Sequence, residues 1–290
     1  MISPFLRIAA ERGDVVAQYQ LGCSFERGAG PNDRDYAQAH KWYLKSANKG
    51  YAPAQYSMGM LYLKGFGVTC DHDLAATFFL EAAKQGHKVV MSPNDYNYID
   101  FYQGEVTAEG KVYRGLRMKK TYSFEPIPEG VDPSLILGNQ ANQWSEQIFD
   151  MRYAQYMTWP RGLAVAETGW SPKEKKNWNS FTKKVEKQFD KLDAANVRYA
   201  RSMYDPIVTT QLNTKGELIG FMEGEVEGLD MYYTINDQMP DNYSQKYTAP
   251  FLIPEDVLSL RVISYRDGKQ IGKYLNIPIE SLRKRAAKVL

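Results

Sequence analysis

Small and aromatic residues recur at helical spacing through residues 1–87, and the pattern occurs twice. The matched positions are Gly13/Gly50, Ala17/Ala54, Gln18/Gln55, Tyr19/Tyr56, Gly22/Gly59, Gly28/Gly65 and Gly30/Gly67 at a spacing of 37, then Ala39/Ala75, Trp42/Phe78, Ala47/Ala83 and Gly50/Gly86 at 36. A Gly-x-Gly interrupts each unit, which predicts two helices joined by a glycine-rich turn. The period is typical of a helical solenoid repeat.

The second unit, AQYSMGMLYLKGFGVTCDHDLAATFFLEAAKQGH, resembles the Sel-one-like repeat, a relative of the tetratricopeptide repeat. The first unit departs from that family's pattern at AGPNDRD. The resemblance implies a protein–protein adaptor, although two units are fewer than such arrays usually need. We expect the alanines, Trp42, Phe78 and Phe79 to form the core between helices rather than a binding groove.

Two short apolar runs in the middle of the chain lack polar alternation, which predicts buried parallel strands. They are KVVMS at 88–92 and SLILGNQ at 134–140, followed by the polar and aromatic clusters NDYNYIDFYQG and ANQWSEQ. A (β/α)₈ barrel carries its functional residues after the strand ends. Helices are predicted at 159–170 and 177–197, the second with a core face of Trp178, Phe181, Val185, Phe189 and Leu192 and a solvated face of lysines.

Five motifs from about Lys88 to Arg201 resemble the end of the family 20 glycoside hydrolases, the β-N-acetylhexosaminidases. They are VMSP, YIDFYQ, YSFEPIP, ILGNQANQWSE and PRGLAVAETGWS. The resemblance implies that this region is the last two strands, with the closing helices, of a (β/α)₈ barrel. It therefore implies a partial barrel.

The same resemblance implies four substrate-binding residues. Tyr98 is similar to the tyrosine that bonds the N-acetyl group, and Asp100 to the carboxylate that reaches sugar hydroxyls. Trp144 is similar to the indole wall of the subsite, and Glu146 to the glutamate that accepts from O4 and O6. A carboxylate beside an indole suits a monosaccharide pocket. Without the resemblance, Trp144 in the core and Glu146 on the surface would be favoured.

Hydrolysis in this family rests on an adjacent Asp-Glu pair, whose Glu protonates the glycosidic oxygen while Asp orients the 2-acetamido group. No Asp-Glu dipeptide occurs in the 290 residues. We therefore expect a truncated, inactive hexosaminidase that binds N-acetylhexosamine glycans weakly. The alternatives are a helical-repeat adaptor with a passenger glycosidase remnant, and a non-catalytic sugar-binding protein.

From residue 204 the pattern changes to short alternating runs divided by Gly, Asp and Asn, which predicts a small β-sandwich at 204–290. YYTINDQMPDNYSQKYTAPFLI resembles the C-terminal domain of chitobiase-type hexosaminidases. Tyr232 and Tyr233 are expected to pack within strands, and RKRAAK at 283–288 to be a solvated tail. The chain is thus predicted to have three domains: repeats at 1–87, barrel end at 88–203 and sandwich at 204–290.

The amino-acid composition argues against several classes of partner and cofactor. Lys and Arg number 36 against 34 Asp and Glu, a net charge of +2, which argues against nucleic acid as a partner. Two Cys and three scattered His predict no metal site, and no cofactor is expected. Without a signal-peptide pattern or a long apolar span, the sequence as it stands is expected to be cytoplasmic and not membrane-bound, although the parent hexosaminidase is expected to be exported.

Overall fold

A computed structural model describes residues 3–28, 33–109 and 114–286. It divides into two compact units, the first from the described parts of 1–93 and 125–139, the second from those of 94–124 and 140–290. No helix in these described ranges is long and apolar enough to cross a membrane.

The first unit opens with five helices, of which the last four are the two helix pairs that the repeat predicts. They are α1 (Pro4–Glu11), α2 (Val15–Arg27), α3 (Tyr36–Ala47), α4 (Ala52–Lys64) and α5 (His72–Lys84). Aspartate side chains cap three of them: Asp14 accepts from the amide of Ala17 at 2.7 Å, and Asp35 and Asp71 cap α3 and α5 in the same way. These caps satisfy amides that a helix start leaves unbonded.

Equivalent contacts recur in both repeats. A Cβ on Gly22 would lie 2.5 Å from the Tyr43 ring, and one on Gly59 would lie 2.6 Å from the Phe79 ring. The buried Gln18 side chain donates to the Ala10 carbonyl at 3.0 Å, and Gln55 donates to the Ala47 carbonyl at 3.5 Å. Gly22 and Gly59 are therefore required by close helix packing. Gly30, one of the matched positions, lies outside the described residues.

The predicted core of the repeats is confirmed. Fully or nearly buried side chains include Leu21, Ala39, Trp42, Tyr43, Ala54, Met58 and Leu61. Phe78 packs against this cluster in a partly buried position.

Strands β1 (Val89–Met91) and β2 (Ile136–Asn139) pair in parallel, as predicted. The prediction that they are buried is wrong, because Val90 is 48% exposed and Leu137 is 63% exposed. Successive side chains of a strand point to opposite faces. A two-stranded sheet thus leaves these two apolar side chains on an uncovered face.

The second unit begins with short helices and continues with longer ones. Their bounds are α6 (Asn94–Asn97), α7 (Val106–Glu109), α8 (Met118–Tyr122), α9 (Met151–Thr158), α10 (Arg161–Trp170) and α11 (Trp178–Ala194). Of these, α10 and α11 correspond to the helices predicted at 159–170 and 177–197. Along α11, Phe181, Val185 and Phe189 are buried and Trp178 and Leu192 partly buried, so the predicted core face is confirmed. The lysines between them are exposed, also as predicted.

The rest of the second unit is built from antiparallel strands. They are β3 (Ile207–Leu212), β4 (Leu218–Glu223), β5 (Asp230–Thr234), β6 (Gln245–Lys246), β7 (Phe251–Ile253), β8 (Ser259–Arg266), β9 (Lys269–Gln270) and β10 (Leu275–Pro278). One sheet has the order β3-β4-β7; the other has β10-β8-β5-β6, with β9 paired to β8. Tyr233 stacks on Phe251 with ring centroids 4.0 Å apart, which is the strand packing expected of it.

The expectation of a solvated tail is wrong for its described part. Residues 283–286 belong to helix α12 (Ile279–Ala286), whose Leu282 and Ala286 are buried in the core beside the sheets. Arg285 makes a two-pronged ion pair with Glu105, a carboxylate that is itself nearly buried. The basic residues concealed the apolar spacing of Ile279, Leu282 and Ala286.

Asp205, just before β3, is a buried carboxylate whose negative charge destabilises the folded state. Its Oδ1 accepts from the Lys273 amide at 2.7 Å, while Oδ2 is buried without a hydrogen-bond partner among the described residues. Burial raises the pKa of Asp205 to about 6, although the Lys273 amide and two cations oppose the shift. The folded state therefore binds a proton more readily here than the unfolded chain does. Stability linked to this group falls as pH rises from about 4 to about 6.

We predict that Asp205→Asn raises the free energy of unfolding at pH 8 by up to about 3 kcal/mol, because it removes a buried charge while keeping an acceptor for the Lys273 amide. The gain should disappear near pH 4, where the wild-type carboxyl is protonated. Urea unfolding at both pH values measures it, with the exposed Asp190→Asn as the control. A less stable variant at pH 8, or a gain independent of pH, would contradict this account.

Candidate functional site

Two segments that follow β1 and β2 carry the four side chains predicted to bind sugar. The segments pair through a single parallel bridge between Tyr98 and Asn142. The Ile99 amide donates to the Asn142 carbonyl at 2.8 Å, and the Asn142 amide donates to the Asn97 carbonyl at 2.9 Å. These bonds hold the backbone of Tyr98 beside a position two residues before Trp144.

The aromatic members of the predicted set lie close together. The Tyr98 and Trp144 rings have centroids 6.4 Å apart and are inclined at 60°. Trp144 is 52% exposed, so it is not a core residue, and Tyr98 is half-buried. The pair therefore offers accessible ring faces and a phenol hydroxyl, which suit the C–H face and polar groups of a sugar.

The two carboxylates differ in environment. Glu146 is exposed, whereas Asp100 is only 2% exposed and its Oδ1 has no hydrogen-bond partner among the described residues. Burial raises the pKa of Asp100, Arg161 acts against the rise, and the charge of Glu146 adds to it. Glu146 is thus close enough to Asp100 to act on it electrostatically. A buried oxygen without a donor is energetically costly.

Arg161, the first residue of α10, fixes the segment that carries Tyr98 and Asp100. Its side chain is fully buried and donates to the carbonyls of Ile99 at 2.6 Å, Met157 at 2.7 Å and Leu116 at 3.0 Å. Burial lowers the pKa of Arg161 to about 9, with Glu109 and Asp100 opposing the shift, so the guanidinium stays charged at neutral pH. One side chain thereby joins three backbone segments.

Gln103 makes a second buried connection to α9. Its side-chain amide donates to the Tyr156 carbonyl and approaches those of Met157 and Trp159 at 3.4 and 3.3 Å. Its backbone amide donates to Glu109 Oε2 at 2.7 Å. The segment after Tyr98 is therefore anchored at Ile99 and again at Gln103.

The sequence interpretation did not single out Arg161 or Gln103. A signal for Arg161 was present, since it shares a helical stripe with the buried Ala164, Val165 and Thr168. A charged residue on such a stripe must find buried partners. For Gln103 we find no comparable signal. Within the described ranges, no three His, Cys, Asp or Glu side chains are grouped so as to hold a metal ion.

Comparison with known families agrees with the resemblances seen in the motifs. Residues 67–173 match the family model "Glycosyl hydrolase family 20, catalytic domain". Residues 15–51 match the Sel1 repeat and 223–277 match the model "Fn3 associated". The composite of a helical repeat and a hexosaminidase-like segment is thereby confirmed. The hydrolase match begins within the second predicted repeat, and the three domain boundaries remain predictions.

Individual relatives show the same two components. A beta-hexosaminidase of Porphyromonas gingivalis is 27% identical over 212 residues, 69% of this chain and 26% of the relative. A putative sel1-like repeat-containing protein of Acanthamoeba polyphaga mimivirus is 30% identical over 86 residues, 30% of this chain and 15% of the relative. The chain thus spans about a quarter of the hexosaminidase relative.

Among solved structures, a mutant Streptomyces plicatus beta-hexosaminidase in complex with product (GlcNAc) is 23% identical. The match covers 57% of this chain and 36% of that one, with a TM-score of 0.44.

We predict that Arg161→Met lowers the free energy of unfolding by about 3–5 kcal/mol, because three buried carbonyls lose their donor and Asp100 loses a compensating charge. Urea unfolding measures the loss. Arg152→Met is the matched control, since Arg152 is exposed on α9 and, within the described residues, donates only to Asn196. Equal losses for the two variants would show that Arg161 does not have this anchoring role.

Proposed function

We propose that residues 88–203 form the last two strands and closing helices of a (β/α)₈ barrel, and that residues 204–290 form a β-sandwich behind it. Support comes from the parallel pairing of β1 with β2, the family 20 match at 67–173 and the two antiparallel sheets. The barrel end would carry part of an N-acetylhexosamine subsite made by Tyr98, Asp100, Trp144 and Glu146.

The observation that carries this proposal is that these four side chains lie on two segments joined by a parallel bridge, with the Tyr98 and Trp144 rings close together. An exposed indole lies 6.4 Å from a phenol, and an exposed carboxylate acts on a buried one whose Oδ1 lacks a donor. Aromatic faces and carboxylate acceptors are the groups that a sugar ring with several hydroxyls needs. In this role Trp144 contacts the ring face, while Glu146 and Asp100 accept from hydroxyls.

The proposed activity is binding of the sugar by these four residues, which do not hydrolyse it on their own. Leaving-group protonation contributes about 100-fold to 10,000-fold in such reactions, and the chain has no Asp-Glu pair to provide it together with acetamido orientation. A subsite with carboxylates only at the sugar hydroxyls lacks a proton donor at the glycosidic oxygen. Affinity would be millimolar, since a ligand pocket normally encloses most of its ligand.

A second candidate is a protein-binding role for the helical repeats. Apolar side chains exposed on α4, Tyr56 at 49% and Leu63 at 39%, favour it. The sugar-binding proposal ranks first because it rests on four side chains of two bridged segments rather than on exposure alone.

We predict that N-acetylglucosamine titrated into the ¹⁵N-labelled chain shifts the amide and indole signals of 98–100 and 144–146 with a millimolar Kd. Glu146→Ala should weaken binding about tenfold, because it removes a charged hydrogen-bond acceptor. Glu174→Ala, which removes an exposed glutamate from another part of the second unit, is the control and should bind as the wild type does.

The same samples test the absence of hydrolysis. Release of nitrophenol from 4-nitrophenyl N-acetyl-β-glucosaminide should stay at background for the wild type and both variants. Turnover that vanishes in Glu146→Ala would contradict the claim that the chain lacks a proton donor. Binding unchanged by Glu146→Ala would overturn the assignment of the subsite itself.

A further inference from the structure

A second cleft lies in the second unit, and the sugar subsite does not include it. Its volume is about 520 Å³, and its lining includes Glu109, Tyr156 and Lys273. Small-molecule sites range from about 300 to 1,000 Å³, so this cleft can hold a ligand of one or two rings. Its lining residues come from α7, from α9, from the segment after α11, from β9 and from the segment between β9 and β10.

Three hydrogen-bonded side chains lie in the wall of this cleft. The Tyr156 hydroxyl donates to Glu109 Oε1 at 2.7 Å and accepts from Lys273 Nζ at 2.9 Å. Lys273 Nζ is also 3.8 Å from Glu109, whose side chain is 5% exposed. Burial, with the charge of Glu109, raises the pKa of Tyr156. The phenol is therefore a fixed neutral donor, and Lys273 compensates the only carboxylate of the described lining.

Two arginines give the cleft an excess of positive charge. Arg198 is exposed and pairs with no carboxylate in the described part of the chain; its Cζ lies 5.3 Å from the Tyr156 ring centre. Arg201 donates to the Tyr199 hydroxyl at 2.9 Å and is 3.8 Å from the exposed Asp193. Arg198, Arg201 and Lys273 against Glu109 give the lining three positive charges and one negative. An anionic group on the ligand would be attracted to this excess.

The cleft also has ring faces and a polar acceptor. Tyr153 and Tyr156 lie with parallel rings, their centroids 6.2 Å apart and their planes at 7°. The Gln270 amide nitrogen donates to the Gly272 carbonyl at 3.2 Å, and its Oε1 has no hydrogen-bond partner among the described residues. Flat aromatic faces beside an amide acceptor suit a ring that carries hydroxyls better than they suit a bare anion.

We propose that this cleft binds a sugar ring that carries a carboxylate, such as a uronic acid. Arg198 and Lys273 bind the carboxylate, Tyr153 packs against the ring, and Gln270 accepts from a hydroxyl. This site goes beyond the proposed N-acetylhexosamine subsite and does not depend on it.

Calorimetric titration of the full chain with glucuronic acid tests the proposal. Glucose, inorganic sulfate and adenosine monophosphate are titrated separately for comparison. Glucuronic acid should bind at least tenfold more tightly than each of the other three. Arg198→Gln should weaken its binding about tenfold, because a charged hydrogen bond is lost. Tyr153→Ala should also weaken it, through the loss of the ring face.

Two controls separate this site from other effects. Lys215→Ala removes an exposed cation from the turn between β3 and β4 and should leave glucuronic acid binding unchanged, as should Glu146→Ala in the other site. Undetectable binding of glucuronic acid would overturn the proposal, as would equal binding of glucose, sulfate or adenosine monophosphate. Binding that survives Arg198→Gln, or that is lost in Glu146→Ala, would place the ligand elsewhere and also overturn it.

Discussion

The buried guanidinium of Arg161 is the interaction on which the candidate sugar site depends. It lies at the start of α10 and donates to the carbonyls of Ile99, Met157 and Leu116. Burying a charge is costly unless it is hydrogen-bonded and compensated. Here the terminal nitrogens of Arg161 donate to three carbonyls and the nearby Asp100 and Glu109 compensate the charge, while Nε has no hydrogen-bond partner among the described residues. The arrangement stabilises one path of the segment that carries Tyr98 and Asp100, so a polar network in this core determines the position of a surface site.

The two carboxylates of the candidate site differ in how freely they can move. Asp100 is buried beside Arg161, which fixes its position, whereas Glu146 remains exposed and adjustable. Trp144 and Tyr98 supply ring faces at the same place. In the proposed role, this combination would bind a polyhydroxylated ring, and neither of its two carboxylates would donate a proton to a leaving oxygen.

Much of the fold was predictable because its patterns are local. The repeat gave the helix pairs, since close contacts such as Gly22 with Tyr43 require the same small and aromatic residues in each unit. The parallel pairing of β1 and β2 and the core face of α11 were predictable from apolar spacing. The burial of β1 and β2 was predicted wrongly. An apolar run favours burial, but it does not indicate whether a helix or a second sheet packs against the strands. Helix α12 was missed because its basic residues hid three apolar positions.

The site was predictable only in part. Family motifs indicated Tyr98, Asp100, Trp144 and Glu146. The structure places Tyr98 beside Trp144, and the roles of all four remain proposals. Arg161 and Gln103 each donate to carbonyls that are distant in sequence, such as Leu116 for Arg161 and Tyr156 for Gln103. The spacing of apolar residues in a sequence does not indicate a hydrogen bond between a side chain and a carbonyl far away in the chain. The cationic cleft is equally non-local, since Tyr156 and Lys273 are 117 residues apart in sequence.

Hydrogen–deuterium exchange of the amides of Ile99 and Leu116, compared between the wild type and Arg161→Lys, tests the anchoring role of Arg161 most directly. Lysine keeps the charge but cannot reach three carbonyls with a planar fork, so both amides should exchange faster through local opening. Amides in the β3–β4 pair should be unaffected apart from any change in global stability. Unchanged protection of Ile99 and Leu116 would contradict the account and leave the position of Tyr98 and Asp100 to be explained by other contacts.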